Sequence, residues 1–505
     1  MPGSIVKHLE SSYRSTGLVA FLLPLLVYVL TLAPTVFNLD SAELTTAAAT
    51  GGLTRATGYP LYLTLGWLWS KLPIGDVGYR MNLLSAVSAA LTLLLCERIL
   101  LQLGVRAVVR FSTVGLLAFS KYFWQLSLIA EVYTLQTALT AGLLLVLLAW
   151  FEKPVPIRLG WIGLLIGLGL SHHMSTALLL PGVTLFILVS HPRQVFNGNS
   201  LAAGLVGVSL GLVFYLYLPL RYLAEPAFNY AGSYDAAGVF HADNLASLQG
   251  IWRLITGASF APMMFAYTPD ESWQELQRFF VFLAGTFLAI GIGPGILGLC
   301  YSFRRHWKVG VALLLMFVGH VIFYINFRAI DKELMYLPTY LIWTIWVGYG
   351  FELILAWNDQ TFLKKPILSS RKPVNLANLL LSSIMIAAAL FALIFNWRLV
   401  DLSQNQSARD KGEEILSVLP PGALYFGFWG TVPVLQYLQL VEGQRPDVQA
   451  VNRFLIAPEA MAEWISRDLN ERPVFIDNLP SGLSTEVVAI DSGLILQLRL
   501  RSIER

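Results

Sequence analysis

Two carboxylates three positions apart, Asp40 and Glu43, stand in the stretch TVFNLDSAELTTAAATGGLTRATGYP, Thr35 to Pro60, directly after a hydrophobic run. On an Ala-rich helix that spacing puts both acids on one face. If the face borders an enclosed cavity, mutual repulsion raises one pKa and gives a proton acceptor suited to neutral pH. The same pattern fits a helix cap, in which the acids satisfy free backbone N–H groups. Spacing alone gives the two readings equal weight, and a capping acid can also be a catalytic one.

Other polar groups interrupt apolar sequence. His172 and His173 sit at the apex of what reads as a hairpin, where imidazole N–H groups suit an anionic oxygen; with no third ligand near them in sequence, a metal is not expected. Glu131, in AEVYTLQ with Tyr133, opens an apolar run, a place that the helix macrodipole also favours for an acid. Arg80 and Asn82 in YRMNLLS, and Arg221 in LPLRYLAEP, flank apolar runs. The planar donor fork of arginine suits phosphate, although a single flanking arginine also serves as an anchor. Arg328, Asp331, Lys332 and Glu333 read as a solvated turn. Glu97 and Arg98 read as reaching the inner interface, because charge at the bilayer centre costs on the order of 3 kcal/mol.

The elements that must hold these groups are membrane helices. Of 505 residues 56% are hydrophobic and 13% charged, and mean hydropathy is +0.63, too apolar for a soluble globular chain. A net charge of +3 argues for no nucleic-acid partner, and two cysteines in apolar runs for no disulfide framework. Apolar stretches near 17–34, 81–103, 107–127, 131–151, 201–219, 279–302, 309–327, 334–356 and 376–396, with a two-span hairpin between Leu159 and Ser190, predict about eleven transmembrane helices. The first reads as an uncleaved signal anchor.

Lys and Arg then set the orientation. Arg106, Arg110, Lys153, Arg158, Arg193, Arg304, Arg305, Lys308, Lys364, Lys365, Arg371 and Lys372 fall in alternate loops, which puts the N-terminus in the cytoplasm and the C-terminus outside. The outer face receives the loop 35–80, the two histidines, the loop 220–277 and the tail. An aromatic helix near 60–71 suits the interface, and the amphipathic piece DNLASLQGIWRLITG could cover a cavity. After Asn396, helix-period stretches (Asp410 to Leu419, Pro458 to Leu469) mix with strand-like runs at 423–428, 448–452, 473–476 and 494–498, the pattern of a small α/β domain. No Walker loop or zinc spacing occurs.

With those residues in view, the chain resembles the GT-C-type membrane glycosyltransferases of the transmembrane protein O-mannosyltransferase-like family. The resemblance rests on PTVFNLDSAEL with GYPLY, YRMNLLSA, FWQLSLIAEVYTLQ, GLSHHMSTALLLP, YLPLR, ELMYLPTY and VEGQRPDVQAVN, which follow the family's order along nearly the whole chain. It implies an all-α polytopic fold, residues 1–396, with a C-terminal extracytoplasmic α/β domain, residues 397–505. It also implies an inverting transferase that moves a sugar, mannose in the family's pattern, from a polyprenyl-phosphate donor to a hydroxyl of a protein or surface glycan. Asp40 and Glu43 take the family's acidic motif, and Arg80, Asn82, Glu131, Tyr133, His172, His173, Arg221 and Tyr59 become substrate-binding candidates. The lipid-linked sugar is the donor substrate, with no metal or further cofactor implied. Two departures stand out: Arg55, Ala56, Thr57 and Gly58 replace a His-Pro-Pro-Gly run, and GFWGT at 427–431 lacks an acid. A carrier or flippase for lipid-linked sugars is the alternative, since it needs the same cavity but no catalytic acid.

Overall fold

The computed structural model describes residues 3–363, 375–479, 487–491 and 493–500; Lys364, Lys365, Arg371 and Lys372 lie outside them, as do the side chains of Lys7 and Arg14. The apolar runs are helical because hydrocarbon offers no partner to a free backbone N–H or C=O. The chain runs through α1 (Gly3–Thr31), the short α2 (Asp40–Thr50) and α3 (Pro60–Trp69), then α4 (Val77–Gln102), α5 (Ala107–Ala118), α6 (Tyr133–Glu152), α7 (Pro156–His172), α8 (Leu180–Ser190) and α9 (Gly198–Leu212). After a loop that carries the β1–β2 hairpin (Gly232–Tyr234 and Phe240–Ala242) come α10 (Pro269–Thr286), α11 (Ile292–Ile325), α12 (Leu337–Leu363) and α13 (Leu376–Val400).

The protein is a multi-pass membrane protein, but the expected count of eleven spans is not matched one for one. Among the described residues six helical stretches have the length and apolarity to cross a bilayer, and three more apolar ones are shorter. The stretch 279–302 straddles the break between α10 and α11. Helix α11, 34 residues long, would extend about 51 Å if straight, more than one crossing of about 30 Å. His306 leaves helical geometry (φ −145, ψ 74) and kinks it between Arg305 and Lys308.

Glycines bring α7 and α9 together. A Cβ on Gly163 would strike the carbonyl of Gly204, one on Gly167 that of Val208, and one on Gly207 that of Gly160. Lipid supplies no hydrophobic drive between helices, so such close backbone packing is what holds the pair. Two charged groups depart from expectation. Glu97 is fully buried, 2.7 Å from Arg110, instead of reaching an interface. Lys332, read as solvated, is buried in an ion pair with Glu275 and lies 4.4 Å from the centre of the Tyr267 ring. A charge can stay buried there only because it is paired.

Beyond α13 stand α14 (Ser407–Val418), α15 (Val432–Leu440), α16 (Pro458–Asp468) and a five-stranded sheet in the order β4-β3-β5-β7-β6. Strands β4 (Gln449–Asn452), β3 (Leu424–Gly427) and β5 (Val474–Ile476) are parallel, while β7 (Leu496–Leu500) and β6 (Val487–Asp491) extend the sheet antiparallel. Strand β3 is buried at all four positions, as an apolar strand covered on both faces must be. Side chains of α14 and α15 pack on one face and those of α16 on the other. This is the small C-terminal domain expected from the tail, with β6 and α15 added to the elements foreseen.

Candidate active site

Helix α2 starts at Asp40. Its N-cap is Leu39, in the left-handed region (φ 57), and no side chain caps it. The acids are therefore not a capping pair, and both side chains are left for other partners. At the far end Gly51 (φ 66) ends the helix, and the N–H of Gly52 returns to the Ala47 carbonyl at 2.7 Å. A Cβ on Gly52 would press on the Phe228 carbonyl. Leu53 N–H donates to that carbonyl and Tyr230 N–H to the Leu53 carbonyl, so the 220–277 loop fixes the returning chain. The turn carries Arg55 back beside Asp40.

Arg55 Nη2 lies 2.7 Å from Asp40 Oδ1, and its backbone N–H donates to Glu43 Oε1 at 3.0 Å. Its Nε stays 3.6 Å from Glu43 Oε2, beyond a good hydrogen bond. From the C-terminal domain the Trp429 indole N–H donates to Asp40 Oδ1 at 2.9 Å. The Arg55 guanidinium carbon lies 3.9 Å from the centre of the same indole and 5.7 Å from the Phe260 ring. Tyr230 and Phe454 brace the indole edge-on at 5.3 and 5.6 Å. The Asp40 side chain keeps 40% exposure and that of Glu43 only 3%, so only Asp40 can be reached from outside.

The carboxyls differ in charge preference. Burial pushes Glu43 up to about 8; attraction to Arg55 opposes this and the charge of Asp40 adds to it. Glu131 is also raised, first by burial and then by Asp40, against a backbone hydrogen bond and Arg55. Burial and Asp40 raise Tyr59 as well. One guanidinium thus serves several acids, and its contact pair is Asp40. Tyr59, left-handed at φ 43, sets its ring 5.6 Å from His173, which is 6.1 Å from Tyr133. A non-glycine residue held at positive φ costs on the order of 1 kcal/mol, and such residues gather where surrounding structure imposes a geometry.

The structure therefore gathers Asp40, Glu43, Tyr59, Glu131 and Tyr133 around Arg55, with His173 in ring contact with the two tyrosines. The remaining candidates lie elsewhere. Asn82 is buried and donates to the Ala33 and Thr35 carbonyls, both at 2.9 Å, holding the chain that leads into α2. One turn on, Ser85 Oγ accepts the Glu131 N–H at 3.1 Å. Arg80 donates to the carbonyls of Ile74, Ser70 and Gly75, a local tie and not a ligand-facing arrangement. His172 is buried, with Nε2 2.8 Å from the Val132 carbonyl. Arg221 bonds the Gly51 carbonyl at the opposite end of α2, about 15 Å from Asp40 along an eleven-residue helix. Arg55, Trp429 and Phe260 were not foreseen; the signal was that Arg55 and the acid-free GFWGT break the family's pattern.

Residues 40–196 match the family described as Protein O-mannosyl-transferase TMEM260 N-terminal domain. The chain is 25% identical to mouse Protein O-mannosyl-transferase TMEM260 over 472 residues, 88% of this chain and 63% of that protein. It is 22% identical to Protein O-mannosyl-transferase tmem260 of Dictyostelium discoideum over 516 residues, 93% and 60%. It thus spans less than two thirds of the length of these relatives. Among solved structures, ArnT from Cupriavidus metallidurans bound to undecaprenyl phosphate has the same fold, with TM-score 0.59, 14% identity, and coverage of 96% of this chain and 98% of that one. The oligosaccharyltransferase AglB from Archaeoglobus fulgidus, in complex with an inhibitory peptide and a dolichol-phosphate, superposes with TM-score 0.54 at 12% identity, over 91% and 69%.

Proposed function

We propose, on the strength of these likenesses, that the chain belongs to the GT-C-type, O-mannosyltransferase-like family and is a membrane glycosyltransferase that moves a sugar from a polyprenyl-phosphate donor to a hydroxyl on the extracytoplasmic side. The names of the relatives favour mannose as the sugar. The observation that carries the reading is the half-exposed Asp40 carboxylate, held by Arg55 and Trp429 while its partner acid Glu43 is sealed away. In the reaction the acceptor O–H gives its proton to Asp40. The oxygen bonds to the anomeric carbon from the face opposite the phosphate, the carbon–oxygen bond to phosphate breaks, and polyprenyl phosphate leaves with its electrons, so the configuration inverts. Positive charge placed where the leaving phosphate develops its own lowers the barrier. Arg55 is the cation in contact with Asp40, and in this reading it takes the role that sequence alone gave to Arg221 and the histidines. Glu43, neutral below about pH 8, orients Arg55 through its backbone N–H.

The test is sugar transfer by the purified protein in lipid, given radiolabelled polyprenyl-phosphate sugars and hydroxyl acceptors, with wild type beside Asp40→Asn. Transfer by wild type that disappears in a folded Asp40→Asn variant supports the enzyme reading and the base. Labelled lipid crossing the bilayer with no donor consumed gives the carrier reading instead.

A further inference from the structure

The loop that carries the acids is closed at its neck and gripped there by the C-terminal domain. The Thr35 hydroxyl donates to Asp76 Oδ2, while Asp76 Oδ1 accepts the Tyr79 N–H at 2.7 Å and caps α4. The chain between them, with Asp40, Glu43 and Arg55, hangs from that junction. Arg409 of α14 reaches across to it, with Nη1 3.2 Å from Thr35 Oγ1 and 3.3 Å from Asp76 Oδ2. On its own side the guanidinium meets both oxygens of Glu442, Nη1 to Oε1 at 2.8 Å, and its Nε lies 2.9 Å from Glu413 Oε1. One cation thus joins three carboxylates drawn from two domains.

Helix α15 connects this grip to the acid. Glu442 stands just past its end and Trp429 just before its start, so the nine-residue helix, about 14 Å long, separates the two. Along its length α15 meets the acid loop through apolar side chains, with Val36, Ala42 and Val77 in one cluster with Leu435, Tyr437 and Leu438. Apolar contact is non-directional and lets one face shift along another, whereas a hydrogen bond weakens steeply once its angle opens. Among the described residues, the polar contacts from the C-terminal domain to residues 35–80 come from Trp429 near one end of α15 and from Tyr437 and Arg409 near the other. The Tyr437 hydroxyl accepts the Gly78 N–H at a long 3.3 Å, which leaves Arg409 as the stronger tie at that end.

We infer that Arg409 is a positioning residue for the acid: its grip on Thr35 and Asp76 sets where α15 lies against the loop, and so holds the Trp429 indole on Asp40. Its role in transfer rests on Asp40 being the base, while its setting of Trp429 does not. An arginine that only added stability would matter equally with or without the indole N–H. One that acts through the indole loses its effect when the indole N–H is gone, and that non-additivity separates the two roles.

The test is a double-mutant cycle on the full chain in lipid, with Arg409→Gln and Trp429→Phe made singly and together. Transfer is read as kcat and KM, and fluorinated tryptophan is incorporated for fluorine NMR, where the Trp429 signal is the one that Trp429→Phe removes. Arg409→Gln lowers kcat about tenfold, leaves the donor KM within about twofold, and shifts the Trp429 signal; in the Trp429→Phe background it costs less than about threefold. Arg409→Lys keeps a cation among the three carboxylates and so preserves folding. Without the planar fork it gives a smaller kcat loss and a smaller shift in the same direction. The inference is overturned if both Arg409 variants leave the Trp429 signal in place, or if Arg409→Gln costs as much without the indole N–H as with it. Wild type that transfers no sugar sinks the transferase reading instead, and the Trp429 signal then decides the role of Arg409 by itself.

Discussion

The Trp429 indole N–H meets Asp40 Oδ1 at 2.9 Å across 389 residues of sequence. The C-terminal domain thereby completes the acid site with a donor and with an aromatic face for Arg55. A hydrogen bond to a charged group contributes about 1.5–3 kcal/mol, and a partly desolvated cation–π contact on the order of 1 kcal/mol. Trp429→Phe keeps a ring but loses the donor, so transfer should fall about tenfold. Trp429→Ala loses both and should fall further. Initial rates on variants with matched melting temperatures check the order; equal rates for Trp429→Phe and wild type would remove the indole N–H from the site.

The Arg55 guanidinium makes two kinds of contact that an ammonium cannot reproduce together. It pairs with Asp40 while its plane lies over the Trp429 indole. Arg55→Lys keeps the charge without the flat fork, and Arg55→Ala leaves Asp40 beside the buried Glu43 and the half-buried Glu131 with no ion-pair partner among the described residues. Single-turnover rates should fall about tenfold for Lys and about a hundredfold or more for Ala, with donor binding weakened in parallel. An Arg55→Ala variant with unchanged turnover would return the phosphate role to another cation.

Glu43 separates the two acids by pH. A carboxyl raised from 4.5 to about 8 on folding binds its proton in the native state where the unfolded chain has lost it. Stability contributed this way is full below about pH 4.5 and is lost as pH rises towards about 8, by several kcal/mol at most. Glu43→Gln, which mimics the neutral form, should flatten that fall in thermal melts taken across the window. It should also keep transfer at neutral pH within a few-fold of wild type, whereas Asp40→Asn should not. Loss of transfer in Glu43→Gln equal to that in Asp40→Asn would make Glu43 the base.

Sequence made the acids legible because Asp40 and Glu43 are three positions apart on one helix, where local periodicity fixes what shares a face. The C-terminal strands were legible for a similar reason, since β3 and β5 are short apolar runs between turn residues. Arg55 was visible only as a departure: its approach to Asp40 depends on the turn at Gly51 and Gly52 and on Phe228 in a distant loop. Trp429 could not be paired with Asp40 from spacing, because that contact is a consequence of domain docking. Arg80 and Asn82 looked alike beside an apolar run, yet one ties a local turn and the other holds the acid loop; backbone carbonyls have no signature in sequence. The span drawn over 279–302 is displaced because the apolar run continues through the break between α10 and α11.

The glycine seam between α7 and α9 should tolerate no side chain at its closest points. Gly207 and Gly163 face carbonyls of the opposite helix, where any Cβ overlaps backbone that cannot rotate away. Gly207→Leu should cost about 3 kcal/mol or more through separation of the helices, seen as a lower melting temperature and poor recovery from membranes. Gly198 has open space around its Cβ position, so Gly198→Ala should leave both unchanged.

Asn82 reaches the acid only through the chain that carries it. Its amide holds the carbonyls of Ala33 and Thr35, five to seven residues before Asp40, from within the buried core of α4. Asn82→Ala leaves two buried carbonyls without that donor, at a cost of about 1–3 kcal/mol each. Some of that cost falls on stability and the rest on the placement of Asp40, since a misplacement of about 1 Å can cost a hundredfold in rate. The expected result is a lower kcat with the donor KM nearly unchanged, and partial recovery in Asn82→Gln if its longer amide reaches one carbonyl. A raised donor KM at constant kcat would instead make Asn82 a substrate ligand, the role its place beside Arg80 first suggested.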